Sequence, residues 1–87
     1  MEKPEILNEI TKIVRQVLED DEIVLTEEKT AKEVQGWDSL NHIQIITAIE
    51  KHFKIKFKLT EILDFKNIGM MCETIIEKLT MLKAEHK

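Results

Sequence analysis

Apolar residues recur at helical spacing in three stretches of this chain, separated by one long polar connection and one short irregular one. Ile6, Leu7, Ile10, Ile13, Val14, Val17 and Leu18 repeat in steps of three and four, which predicts an amphipathic helix from about Pro4 to Leu18. Pro4 suits its first turn, where a missing N–H costs nothing. From Glu19 to Gln35 the sequence turns polar, and the triplet Ile23, Val24, Leu25 together with Val34 is expected to pin this loop against the bundle. Loops of this length are uncommon and often functional. Leu40, Ile43, Ile46, Ile49 and Phe53, widened by Ile45 and Ala48, predict a second helix that starts at Asp38 or Ser39. Both residue types cap helices, because their side-chain oxygens accept from the unpaired N–H groups of the first turn.

Between the second and last helices the period changes. Phe53, Ile55, Phe57 and Leu59 alternate with Lys54, Lys56 and Lys58, which on period alone reads as a strand. No second alternating segment exists to pair with it, and a lone strand leaves its backbone groups unsatisfied. An extended loop with those four apolar residues inward is therefore expected. Ile62, Leu63 and Phe65 mark a short helix over Thr60 to Phe65, and a last helix is expected from about Asn67 to Leu82. Its buried face comprises Ile68, Met71, Ile75, Ile76, Leu79 and Leu82. The fold class predicted is all-α: a four-helix bundle of three long helices and one short, with a long first loop, as a single domain over residues 1–87.

Composition agrees with that architecture. The 87 residues allow one core, and aromatics are few: three Phe, one Trp and no Tyr. Such a core is packed by Ile, Leu, Val and Met. The lone Cys72 excludes an internal disulfide and offers no zinc-type spacing, which points to a reducing, cytoplasmic setting. Cys72, Met70 and Met71 are expected to be packing residues. The start MEKPEILNEI is too charged for a secretory leader, and the apolar runs are far too short for a membrane span.

Charge divides the chain. Residues 1–50 carry 12 acidic and 5 basic side chains, net −7, and residues 51–87 carry 5 acidic and 8 basic, net +3. Nucleic acid is not the expected partner, since the lysines at 51, 54, 56, 58 and 66 have no exposed aromatic platform beside them. His42, three residues after Ser39, suggests a Ser-His hydrolase pair. No third orienting group, oxyanion loop or cleft accompanies it, so an exposed His42 in polar contact with a partner is the simpler expectation. His52 and His86 have no ligand spacing.

Gly36-Trp37-Asp38-Ser39-Leu40, the stripe Ile43, Ile46, Ile49 and Phe53, and the segment Phe53-Lys54-Ile55-Lys56-Phe57 together resemble the acyl carrier protein family. In that family G-x-D-S-L precedes the second helix and F-x-I-x-[IF] follows it. The resemblance covers nearly the whole chain. It implies that Ser39 carries 4′-phosphopantetheine through a phosphodiester, installed from coenzyme A by a phosphopantetheinyl transferase, with acyl groups held as thioesters on the arm's thiol. Such a protein is a carrier and not an enzyme, presenting cargo to acyl-activating, acyl-transferring or synthase enzymes, and is expected to act as a monomer. Asp38 would help orient the transferase and its metal, and Leu40 would point inward to hold the helix start.

Trp37 beside Ser39 would either pack on the arm or a partner, or close the long loop over the bundle. Trp37, Asn41, His42, Gln44, Thr47 and Lys51 are the expected docking residues. The family often has a run of acidic residues along the second helix, whereas Asn41, Gln44, Thr47, Glu50 and Lys51 stand here. Within fatty-acid-like, polyketide or other specialised biosynthesis, that difference favours a dedicated carrier, for a polyketide, a modified sugar or another specialised acyl product, over the general fatty-acid carrier. Gly69-Met70 replaces a Gly-Asp common at the start of the family's last helix, which leaves the cap there unassigned. A peptidyl or aminoacyl carrier, and an unmodified helical interaction module, remain open alternatives.

Overall fold

The computed structural model describes residues 2–85, and within them the side chains other than those of Asp64 and residues 82–85. The chain runs α1 (Lys3–Leu18), a single 3-10 turn (Ala31–Glu33), α2 (Ser39–Phe53), α3 (Leu59–Asp64) and α4 (Ile68–Glu85), with no strand among the described residues. The all-α expectation therefore holds, with each long helix placed within a few residues of its predicted bounds.

α1 packs against both α2 and α4. Its stripe buries Ile6, Ile10, Ile13 and Val14 and leaves Leu7, Val17 and Leu18 half-buried. Ile45, Ile46, Ile49 and Phe53 of α2 and Ile68, Met71, Cys72 and Ile75 of α4 complete the core. Each fully buried isoleucine contributes about 2 kcal/mol of transfer free energy. Leu79 and Ile76 are half-buried against the core, and Leu82 lies outside the described side chains.

The long loop is tied down at both ends. α1 stops at Glu19, whose left-handed backbone (φ 54) turns the chain, and Arg15 Nε donates to the carbonyl of Ile23 at 2.7 Å. Ile23, Leu25 and Val34 are buried as expected, but Val24 is 61% exposed. Extended backbone alternates its side chains, so the middle member of the triplet faces out. Farther along, the loop caps α4. The N–H groups of Ile68 and Gly69 donate to the carbonyls of Lys29 and Glu27, both at 2.8 Å, and Met70 N–H donates to Asn67 Oδ1 at 2.9 Å. The cap left unassigned at Gly69-Met70 is thus supplied by Asn67 and by the loop backbone.

The lysine-rich alternation forms an extended connection and no strand. Its backbone donors are met from α2: Ile55 N–H reaches the Glu50 carbonyl at 3.0 Å and Phe57 N–H reaches Glu50 Oε2 at 2.8 Å. Ile55 is buried and Phe57 half-buried, but Leu59 is 69% exposed, because α3 begins there and the period of two ends. Leu63, one turn later on the same face, is exposed with it.

Two expected core positions of α2 are also exposed: Leu40 at 68% and Ile43 at 52%. Each residue advances a helix by about 100°, so the buried stripe of Ile45, Ile46, Ile49 and Phe53 continues back through His42 and leaves Leu40 nearly opposite. The inward Leu40 is corrected accordingly.

Candidate functional site

The start of α2 separates capping from reactivity. Asp38 is the N-cap: its Oδ1 accepts from the Asn41 N–H at 2.8 Å, and its carbonyl accepts the first helical bond, from His42 N–H, at 2.8 Å. Ser39 is the first helical residue and is exposed. Among the described residues its hydroxyl has no hydrogen-bond partner. The capping duty that explains Asp38 therefore leaves the Ser39 hydroxyl structurally idle.

An α-helix begins with N–H groups that have no acceptor within the helix. At α4 the loop carbonyls take them, as described above. At α2 the Asp38 N–H is bound by Gly36 and the Asn41 N–H by Asp38, while those of Ser39 and Leu40 have no partner among the described residues. These donors, at the positive end of a helix of 15 residues, favour an anion beside Ser39 Oγ. A phosphodiester on that oxygen fits the residues present: an accessible hydroxyl, open amides and no buried group to displace.

The segment before Ser39 is held rigidly. Gly36 takes a left-handed turn (φ +88), its carbonyl accepts from Asn41 Nδ2 at 2.8 Å, and Trp37 is 8% exposed. The indole Nε1–H donates to His42 Nδ1 at 3.0 Å, and the other ring nitrogen, Nε2, lies 3.3 Å from the carbonyl of Ile62. Accepting at Nδ1 assigns the proton to Nε2, so His42 donates to α3. Trp37 thus closes the long loop over the bundle, and His42 joins the loop, α2 and α3. The expected exposed His42 is corrected: it is half-buried, with both nitrogens engaged, and neither is directed at Ser39.

The residues singled out from sequence consequently fall into two groups. Trp37, Asn41 and His42 hold the site together. Gln44, Thr47 and Lys51 are exposed and share the outward face of α2 with Leu40, at spacings of four, three and four. Sequence reasoning missed the apolar character of this region, where Leu40 and Ile43 on α2 and Leu59 and Leu63 on α3 are all more than half exposed. The signal was available, since Leu40 lies four residues before the polar Gln44 and seven before Thr47. The contact between His42 and the Ile62 carbonyl sets α3 beside the first turns of α2, and Leu40 and Ile43 flank Ser39 on α2 itself.

Comparison with known proteins bears on this site. The phosphopantetheine attachment site family matches residues 8–75. The solution NMR structure of holo acyl carrier protein from Geobacter metallireducens is similar over 94% of this chain and 93% of its own, at 44% identity and a TM-score of 0.84. No curated protein matches the chain significantly. With a serine exposed at an open helix start, and a likeness of sequence and fold over nearly its full length, the chain belongs to the phosphopantetheine-bearing acyl carrier protein family.

Proposed function

We propose that Ser39 is the residue to which 4′-phosphopantetheine is attached, and that residues 1–87 form one carrier domain. The observation that carries this reading is the division of labour at α2, where Asp38 caps the helix and the adjacent Ser39 hydroxyl is left exposed and unbonded. When attached, the arm supplies a thiol that holds acyl groups as thioesters, and its reach raises their concentration at each partner enzyme. The chain's own residues do the rest. Ser39 Oγ would form the bond to the pantetheine-side phosphorus of coenzyme A, its proton passing to a base of the transferase, while the P–O–P bond breaks and adenosine 3′,5′-bisphosphate leaves. The open amides of Ser39 and Leu40 favour the charge of the phosphodiester. Leu40 and Ile43, one residue and four residues after Ser39 on α2, offer the transferase exposed apolar contacts beside the acceptor hydroxyl. The second oxygen of Asp38 has no hydrogen-bond partner among the described residues, and is left to help orient the transferase and its metal.

The outward face of α2 is nearly neutral, with Gln44, Thr47 and Lys51 beside Leu40. Complementary charge governs partner choice, so this face suits enzymes of a dedicated pathway better than those tuned to a strongly acidic helix. Among the described residues no helix is long and apolar enough to cross a membrane. We place the protein in the cytoplasm as a monomeric, non-catalytic carrier, where the thiol Cys72 stays reduced.

The test is modification by a broad-specificity phosphopantetheinyl transferase with coenzyme A, followed by intact and tryptic mass analysis. Wild type should gain one arm, on the peptide spanning residues 33–51. Ser39→Ala should keep the wild-type circular dichroism spectrum and gain nothing. Loading of that variant, or no loading of wild type beside a working control carrier, would overturn the assignment.

A further inference from the structure

A groove of about 680 Å³ lies at the end of α2 remote from Ser39, where the extended connection passes α4. Fifteen residues separate Ser39 from Lys54, so at about 1.5 Å of rise per residue the two ends of α2 are roughly 22 Å apart. Lys51, Lys54, Lys56 and Lys78 line the groove, with Ile55 and Met81 among its apolar residues. Met81 is 58% exposed, a large apolar side chain presented beside four ammonium groups.

Glu50 lines the groove and keeps its charge, since its partner is a neutral amide, whereas Glu61 is paired with a lysine. Glu50 gives its Oε2 to the Phe57 N–H at 2.8 Å, and Glu61 pairs with Lys78 at 2.8 Å. Among the described residues, Lys51, Lys54 and Lys56 take part in no ion pair. The negative end of the α2 dipole favours cations here but neutralises only a fraction of a charge. Even with Glu50 counted against them, three exposed lysines leave an excess of positive charge around this recess among the described residues, on a protein whose net charge is −4.

We propose that this groove docks a short acidic segment of a protein partner, with carboxylates on Lys51, Lys54 and Lys56 and an apolar anchor against Ile55 and Met81. The polarity is opposite to that of an acidic carrier helix seeking a basic enzyme. Concavity favours a protruding peptide over a bilayer, because a planar surface would meet only the rim. Nucleic acid finds no stacking platform: the Phe57 ring stands edge-on to Phe65 at 5.5 Å with Lys78 Nζ 5.7 Å from its centroid. Contact at this end leaves Ser39 free, so a partner can hold the carrier while the attachment end enters an active site. The proposal goes beyond the reading of Ser39 and does not depend on it.

The probe is a capped acidic peptide with two leucine anchors, titrated into the 15N-labelled full chain at low salt. Saturable amide shifts are expected at Lys51, Lys54, Ile55, Lys56, Lys78 and Met81. The double variant Lys54→Glu/Lys56→Glu should bind about tenfold more weakly, and added salt should weaken the wild type similarly. Glu is tolerated at position 54, because Glu19 adopts the same left-handed backbone (φ 54) that Lys54 does (φ 58). Far-UV circular dichroism and loading of Ser39 should be unchanged in this variant. No saturable binding, shifts centred on the start of α2, or equal affinity in the double variant would overturn the proposal. So would tighter binding to anionic phospholipid vesicles or duplex DNA than to the peptide. Failure of Ser39 to load with peptide binding intact would strike the carrier reading alone.

Discussion

His42 has both ring nitrogens occupied by structure, one by the Trp37 indole and one by the Ile62 carbonyl. His42→Ala removes both contacts and strands a buried indole N–H, so a loss of about 1–3 kcal/mol is expected, read as a lower thermal midpoint by Trp37 fluorescence. A midpoint equal to wild type would mean that the latch carries no weight. This pairing was hidden in the sequence. Trp37 and His42 lie five residues apart across a helix start, and no periodicity predicts a bond between a loop indole and the first turn of the following helix. The helix start at Asp38 and Ser39 was legible, because an Asp-Ser pair ahead of an apolar stripe marks such a start whatever the fold. Leu40 was not, since the direction of a first-turn side chain depends on where the buried stripe runs four to eight residues later.

At the scale of elements, the long loop and α4 are interdependent. Glu27 and Lys29 supply carbonyls to the first two amides of α4, which requires the loop backbone to approach the helix closely. A Cβ on Gly69 would sit 3.1 Å from the Glu27 carbonyl oxygen and 3.3 Å from Asn67 Oδ1. Gly69→Val should therefore push the loop off the helix and lower stability by about 2 kcal/mol, measured as a fall in the urea midpoint. An unchanged midpoint would show that the loop yields without cost. The three long helices were readable from spacing alone because each buries one stripe. The extended connection between α2 and α3 was readable for a different reason: strict alternation without a pairing partner excludes a sheet. Its anchor was not readable, because Glu50 gives its side-chain oxygen to Phe57 from another element.

The whole molecule is stitched by a few ion pairs over an apolar core. Lys3 Nζ lies 2.8 Å from both Glu27 and Glu73, joining α1, the loop and α4, and these two carboxylates raise its pKa above the ordinary lysine range. Glu61 is held below the ordinary glutamate range by the Lys58 N–H and by Lys78. A depressed carboxyl pKa contributes stability that is full above the unfolded-state value and lost as pH falls through the folded one. Glu61→Gln should accordingly be less stable than wild type at neutral pH, with the gap closing in acid. Urea midpoints across that range check it, and a gap that persists at strongly acidic pH would refute the assignment. What the chain's overall charge division could not reveal is its geometry. Lys78 joins Lys51, Lys54 and Lys56 at the far end of α2 only because α4 returns beside the extended connection.

Cys72 is fully buried in α4, and burial pushes its thiol up to about 11. Only the thiolate attacks thioesters, so at neutral pH this sulfur is both shielded and protonated. A carrier that moves cargo on a pendant thiol thereby keeps its backbone-borne one from intercepting the load. Each acyl group stays on the tether, where the next enzyme can collect it, and is not stranded inside the bundle.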